Sequence, residues 1–244
     1  MTKKTQYMSN PIKESVNLCE KADELRAKNA YKEAIPSYLN AIMLERDNAD
    51  SYYGLGVCYK HLENYPKAIR YLEKSTELNE NNYDAYFELG ICHLLEGIPC
   101  GAIKNFVRAI QLNPDNPEAI LQLGISHELC EEYDMALMIY QKLIENSPDY
   151  IKAYDHKSSL LMKMERYKEA SLVLNQMMKL NPDYHKAYVG IGICFDKLGK
   201  KTEAQRYYRK FLLNKPESSQ ANFVKTRMQK LREQKHVSKV LSLV

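Results

Sequence analysis

The stretch "AYFELGICHLLEGIPCGAIKNFVRAIQLNP" occupies residues 85–114, and its reading decides the fold. Its first part has a helical pattern but is apolar nearly all the way round. Phe87, Ile91, Leu94 and Leu95 cannot share one narrow stripe with Tyr86, Leu89 and Ile98. A surface helix needs a single apolar face, so this one has two things to touch. The pattern restarts 34 residues later at Ala119, again at Ala153 and Ala187, and 34 residues earlier at Ser51. One more unit fits upstream, from Asn17. A period of this length marks stacked helical units, each burying its apolar face on the next.

Each unit carries the same landmarks. A large apolar residue opens the first helix at Tyr52, Tyr86, Ile120, Tyr154 and Tyr188. Leu-Gly pairs follow at Leu55-Gly56, Leu89-Gly90 and Leu123-Gly124, with Ile191-Gly192 as a variant. The second helix holds Ala34, Ala68, Ala102, Ala136, Ala170 and Ala204, and Pro114, Pro148, Pro182 and Pro216 close the later units. Gly and Ala let two helices approach closely, and the large residues fill the space between units. Pro stops the second helix because it lacks a donor and disfavours helix at the residue before it. This period and pattern resemble the tetratricopeptide repeat over residues 15–218.

The resemblance implies an all-α chain, a right-handed α-solenoid of antiparallel helix pairs wound as a superhelix. Its six units would be 15–48, 49–82, 83–116, 117–150, 151–184 and 185–218, after a flexible N-terminal segment over 1–14. Residues 219–244 read as a capping helix with a basic tail. Ala221, Val224, Met228 and Leu231 recur there at helical spacing, and the last unit of a solenoid has an apolar face to cover. The first and fifth units depart from the pattern, with Lys21-Ala22 and Lys157-Ser158 in place of Leu-Gly. A Lys stem can lie along apolar surface with its head in water. Pro36 falls inside a predicted second helix and should kink it, whereas Pro66 and Pro99 fall in a first turn, where Pro is tolerated.

The composition, 45% hydrophobic and 27% charged, is that of an ordinary folded chain. No apolar run approaches the roughly 18–20 residues of a membrane span, and the N-terminus lacks a signal-peptide pattern. The expected location is cytoplasmic, with no membrane partner. Six Cys, at 19, 58, 92, 100, 130 and 194, form no C-x-x-C, and no His pair has zinc spacing. Cys58, Cys92 and Cys194 share one repeat position, as small buried side chains would. Gly54-x-Gly56 and Gly190-x-Gly192 lie inside helices rather than in phosphate-binding loops. His93 and His127 stand where other units carry an aromatic core residue. No catalytic constellation emerges, and neither a metal nor a cofactor is expected.

In the family resembled, the first helix of each unit lines a concave groove. The residue after the opener and those four and seven further on face it. Those positions are Tyr53, Val57 and Lys60 in the second unit, then Phe87, Ile91 and Leu94, then Leu121, Ile125 and Glu128. The fifth and sixth units offer Asp155, Ser159 and Met162, then Val189, Ile193 and Asp196. Asp50, Asp84 and Glu118 flank the groove in three successive units, and Lys152 and Lys186 take that position in the next two. A contiguous exposed apolar patch marks an interaction site, so the resemblance implies a non-enzymatic adaptor or scaffold binding a protein or peptide segment. The alternative is a tight superhelix that buries these residues against neighbouring first helices. Two groove chemistries of the family are missing. A Lys and Asn carboxylate clamp is replaced by Tyr53, Val57, Phe87 and Ile91, and an Asn ladder by Glu20, Gly54, Glu88, Gln122, His156 and Gly190.

The net charge of +4 hides a gradient. Residues 15–150 hold 12 Lys and Arg against 22 Asp and Glu, residues 151–218 hold 14 against 7, and residues 219–244 hold 6 against 1. Such asymmetry suits an oriented partner, a head-to-tail homo-oligomer assembled by charge, or a polyanion at the basic end. Residues 200–210 and 225–235 are the densest basic stretches, but no dedicated nucleic-acid motif accompanies them. A nucleic acid is therefore not the expected partner.

Overall fold

The computed structural model describes residues 10–241. They form thirteen α-helices in two compact units, Met1–Glu132 and Tyr133–Val244. The first unit holds α1 (Pro11–Ala27), α2 (Tyr31–Leu44), α3 (Ala49–His61), α4 (Tyr65–Leu78), α5 (Tyr83–Leu95), α6 (Pro99–Leu112) and α7 (Pro117–Leu129). The second holds α8 (Tyr133–Asn146), α9 (Ile151–Lys163), α10 (Tyr167–Leu180), α11 (Lys186–Lys197), α12 (Lys201–Asn214) and α13 (Ala221–Leu241). In the first unit α1 pairs with α2, α3 with α4 and α5 with α6, and each pair stacks on the next helix. The first helices also meet one another, α1 on α3, α3 on α5 and α5 on α7. In the second unit α8 packs on α9, α9 pairs with α10 and α11 with α12, and α13 closes on α12.

Local chemistry sets the helix ends. Asn48, Asn82 and Asn116, spaced by 34, each accept a backbone N–H of the helix they precede. Caps of this kind are worth about 1 kcal/mol each. The residues before α9 and α11, Tyr150 and His185, supply no side-chain cap. Each turn inside a pair is closed by one left-handed residue. Asn29, Glu63, Gly97, Glu131, Glu165 and Gly199 have φ between 58° and 80° and again lie 34 apart. α1 starts at Pro11 behind an Asn10 cap, four residues before the expected first unit. Residues 1–9 of the expected flexible segment and 242–244 of the expected tail lie outside the described residues. α2 continues unbroken through Pro36, which is exposed, so the carbonyl it leaves unpaired is open to water.

Packing follows the small residues. All six repeat alanines are fully buried. Gly54 in α3 lies against the ring of Tyr38 in α2, where an added Cβ would stand 2.2 Å from Cζ. Gly192 meets Tyr208 the same way, at 2.4 Å from Cε1. Cys58, Cys92 and Cys194 are fully buried, and burial pushes their thiols up to about 11, 12 and 11. They behave as small apolar residues rather than nucleophiles. At the far end Ala221, Val224, Met228 and Leu231 of α13 pack on Ala204, Tyr208 and Phe211. Arg227 of α13 donates to Asp196 at the end of α11, with Nη2 2.8 Å from Oδ1.

Candidate functional site

Beginning at the N-terminal end, α1 and α3 enclose a cleft of about 390 Å³ lined by Cys19, Glu20, Asp23, Arg26, Asp50 and Tyr53. Asp23 is engaged there: its Oδ1 accepts from the Tyr38 hydroxyl at 2.6 Å and from Arg26 at 2.8 Å. Arg26 Nε also donates to the Tyr38 oxygen at 3.0 Å, and its guanidinium lies 5.5 Å over the Tyr53 ring. Glu20, Asp50 and Asp84 make no salt bridge among the described residues. Burial, and then the charges of Glu88 and Asp84, push the Tyr53 phenol up to about 12. The wall of this face is therefore electrically negative.

Next along the face, Lys60 of α3 and Glu88 of α5 form an ion pair at 2.6 Å, with side chains 17% and 20% exposed. The pair ties the two helices together and leaves neither charge free. Phe87 sits edge-on to Phe106 at 5.8 Å and stacks on Tyr83 at 5.9 Å. Ile91, Leu94 and Ile125 are half-buried. The apolar surface opens fully at the C-terminal ends of α5 and α7, where Leu95 is 51% exposed, Ile98 47% and Leu129 56%. Neither α5 nor α7 contains Lys or Arg, while both carry acids: Asp84 and Glu88, Glu118 and Glu128. Gln122 donates to Glu118 at 2.9 Å, which holds that carboxylate against α7.

The sequence-based face needs correction at three places. Val57, Leu121 and Val189 are 5%, 2% and 4% exposed, so they pack rather than present. Val57 and Leu121 belong to α3 and α7, first helices that pack on other first helices, and Val189 joins the core beneath α13. Tyr53, Phe87, Ile91, Leu94 and Ile125 stay partly open, and Asp50 and Asp84 are exposed. Leu95 and Leu129 were not on the predicted face. They stand one step beyond its last position, yet they share one repeat position, which is the signal that could have found them.

In the second unit the equivalent positions are polar. Lys152, Ser159 and Lys186 are exposed, and Asp155 is half-buried. The Tyr184 phenol is pushed up to about 12 by burial and then by the charge of Asp155. Ile193 packs on the core beneath α13. Elsewhere, His93 Nδ1 lies 2.8 Å from the Leu89 carbonyl and His127 Nδ1 lies 2.5 Å from Glu132. Among the described residues no group of three or more His, Cys, Asp and Glu could hold a metal ion, and no helix is long and apolar enough to cross a membrane.

Family models agree with this geometry. Residues 49–82 match the tetratricopeptide repeat, and residues 22–63 match a second model of the same repeat. The chain is a tetratricopeptide repeat protein. Residues 118–240, the last three repeats and the terminal helix, also match the family model of the coatomer epsilon subunit. A comparison with curated proteins gave no match. Among solved structures, this tetratricopeptide repeat chain is similar to YrrB, described as a TPR protein with an unusual peptide-binding site. The two are 25% identical with a TM-score of 0.64, over 71% of this chain and 89% of YrrB. It shares its fold with Pseudomonas aeruginosa pilF (13% identity, TM-score 0.65, 89% and 99% covered). It also shares it with MamA from Desulfovibrio magneticus RS-1 (18% identity, TM-score 0.65, 70% and 97% covered).

Proposed function

We propose that this protein is a non-enzymatic adaptor that binds a segment of another protein on the first helices of its N-terminal unit. The observation that carries the reading is the apolar strip of Ile91, Leu94, Leu95, Ile125 and Leu129 on α5 and α7, which widens to exposed leucines at the helix ends. Core packing has no use for a leucine that is half in water, whereas an incoming apolar side chain does. The similarity to YrrB, whose description includes a peptide-binding site, supports the same reading.

The test is capture of partners from the source cell's lysate, read by mass spectrometry. Wild type is compared with Leu94→Ser/Ile125→Ser and with a control on α2, Leu39→Ser/Met43→Ser, whose side chains are also exposed. The expected result is a partner held by wild type and control and lost by the strip variant, with helicity by circular dichroism unchanged in all three. Loss in the control alone would move the binding face to α2 and overturn the reading.

A further inference from the structure

Resting on that reading, we infer that the occupant of the α5–α7 strip is a basic amphipathic helix of another polypeptide. Its aliphatic stripe would lie on Leu95 and Leu129, and its lysines or arginines toward the surrounding carboxylates. The charge argument is local. From Ser75 to Glu132 the chain has only Lys104 and Arg108 against ten Asp and Glu, of which Glu77 and Glu88 are paired with Lys74 and Lys60. Glu96 follows Leu95 directly and Glu131 lies two residues after Leu129; both are exposed, and neither makes a salt bridge among the described residues. An acidic or neutral segment would desolvate these carboxylates without compensation, whereas a basic one pairs with them.

Spacing argues for a helix. Leu95 and Leu129 are the last residues of two packed first helices, and packed helices lie about 8–10 Å apart. A helix places residues seven apart on one face at about 10 Å. An extended strand reaches that distance after about three residues, which point to opposite sides. The chain's own α13 is basic, but its stripe of Ala221, Val224, Met228 and Leu231 is buried on α12. A second copy could offer that stripe only by undocking it.

The experiment uses the full chain and labelled peptides of about 18 residues, long enough for helix formation, read by fluorescence anisotropy. One peptide carries Leu at heptad spacing with Lys elsewhere. A second replaces Lys by Glu, and a third replaces Leu by Ser. The Lys/Leu peptide is expected to bind at least about tenfold more tightly than either of the others. Leu95→Ser/Leu129→Ser should weaken it about tenfold. Glu96→Gln/Glu131→Gln should weaken it several-fold and flatten its salt dependence. Absence of Lys/Leu binding, equal binding of the Glu/Leu or Lys/Ser peptide, or indifference to the leucine substitutions would each overturn the inference. The adaptor reading fails separately, when a captured partner ignores Leu94→Ser/Ile125→Ser. A partner lost by that variant but carrying an acidic segment would leave the adaptor reading standing and remove this one.

Discussion

Gly54 brings α3 so close to α2 that only a hydrogen atom fits between the backbone and the Tyr38 ring. An exposed helical Gly replaced by Ala gains about 0.5–1 kcal/mol. Here the new methyl would stand 2.2 and 2.4 Å from two ring carbons and 2.6 Å from the hydroxyl oxygen. The ring cannot step aside, because its hydroxyl is held by Asp23 and Arg26. Overpacking of this kind costs about 1–3 kcal/mol. Gly54→Ala should therefore lower the urea midpoint without changing the slope. A midpoint that rises would show that Tyr38 is free to move. The position was legible only in part. The repeat pattern marks Gly56 as the small residue of its unit, but that Gly54 faces an aromatic ring depends on Tyr38 of the preceding pair, which the pattern of one unit does not contain. The same limit applies to Val57 and Leu121. An apolar residue on the second face of a first helix reads the same whether it packs on the next first helix or faces water.

At the scale of the element, the turns repeat in backbone rather than in residue type. Six left-handed positions recur every 34 residues, yet only Gly97 and Gly199 of them are glycine. A reading by residue type finds two such turns, and a reading by position finds all six. For an L-residue the left-handed conformation costs about 1–2 kcal/mol, partly offset when Gly takes its place by the extra freedom Gly has unfolded. Glu165→Gly should thus raise stability by about 0.5–1 kcal/mol, measured by thermal or urea unfolding. A loss would mean that the Glu165 side chain makes a contact that outweighs the strain. α13 was legible for the opposite reason. Its apolar residues recur at helical spacing with nothing else to pack on, and the structure lays them on Tyr208 and Phe211. Leu95 and Leu129 were not, because they end their helices, where the spacing of a face ceases to say which way a side chain points.

Across the whole molecule the charges are sorted between the two units. Met1–Glu132 holds 14 Lys and Arg against 20 Asp and Glu, for −6, and Tyr133–Val244 holds 21 against 11, for +10. An evenly mixed chain of net charge +4 would pass a positively charged resin at pH 7. Fields of separate sign act locally, because the Debye length at about 0.01 M salt is only about 30 Å. The intact chain is therefore expected to bind both a positively and a negatively charged resin at that salt. Glu96→Gln/Glu131→Gln should elute from the positively charged resin at lower salt than wild type, with a smaller change on the other. The two resins separate two physical situations. Retention on both means that the acidic face of α5 and α7 is accessible in the full chain, as a basic ligand requires. Flow-through on the positively charged resin means that this face is neutralised within the molecule itself, and then no cationic segment can reach Leu95 and Leu129 without first displacing what covers them.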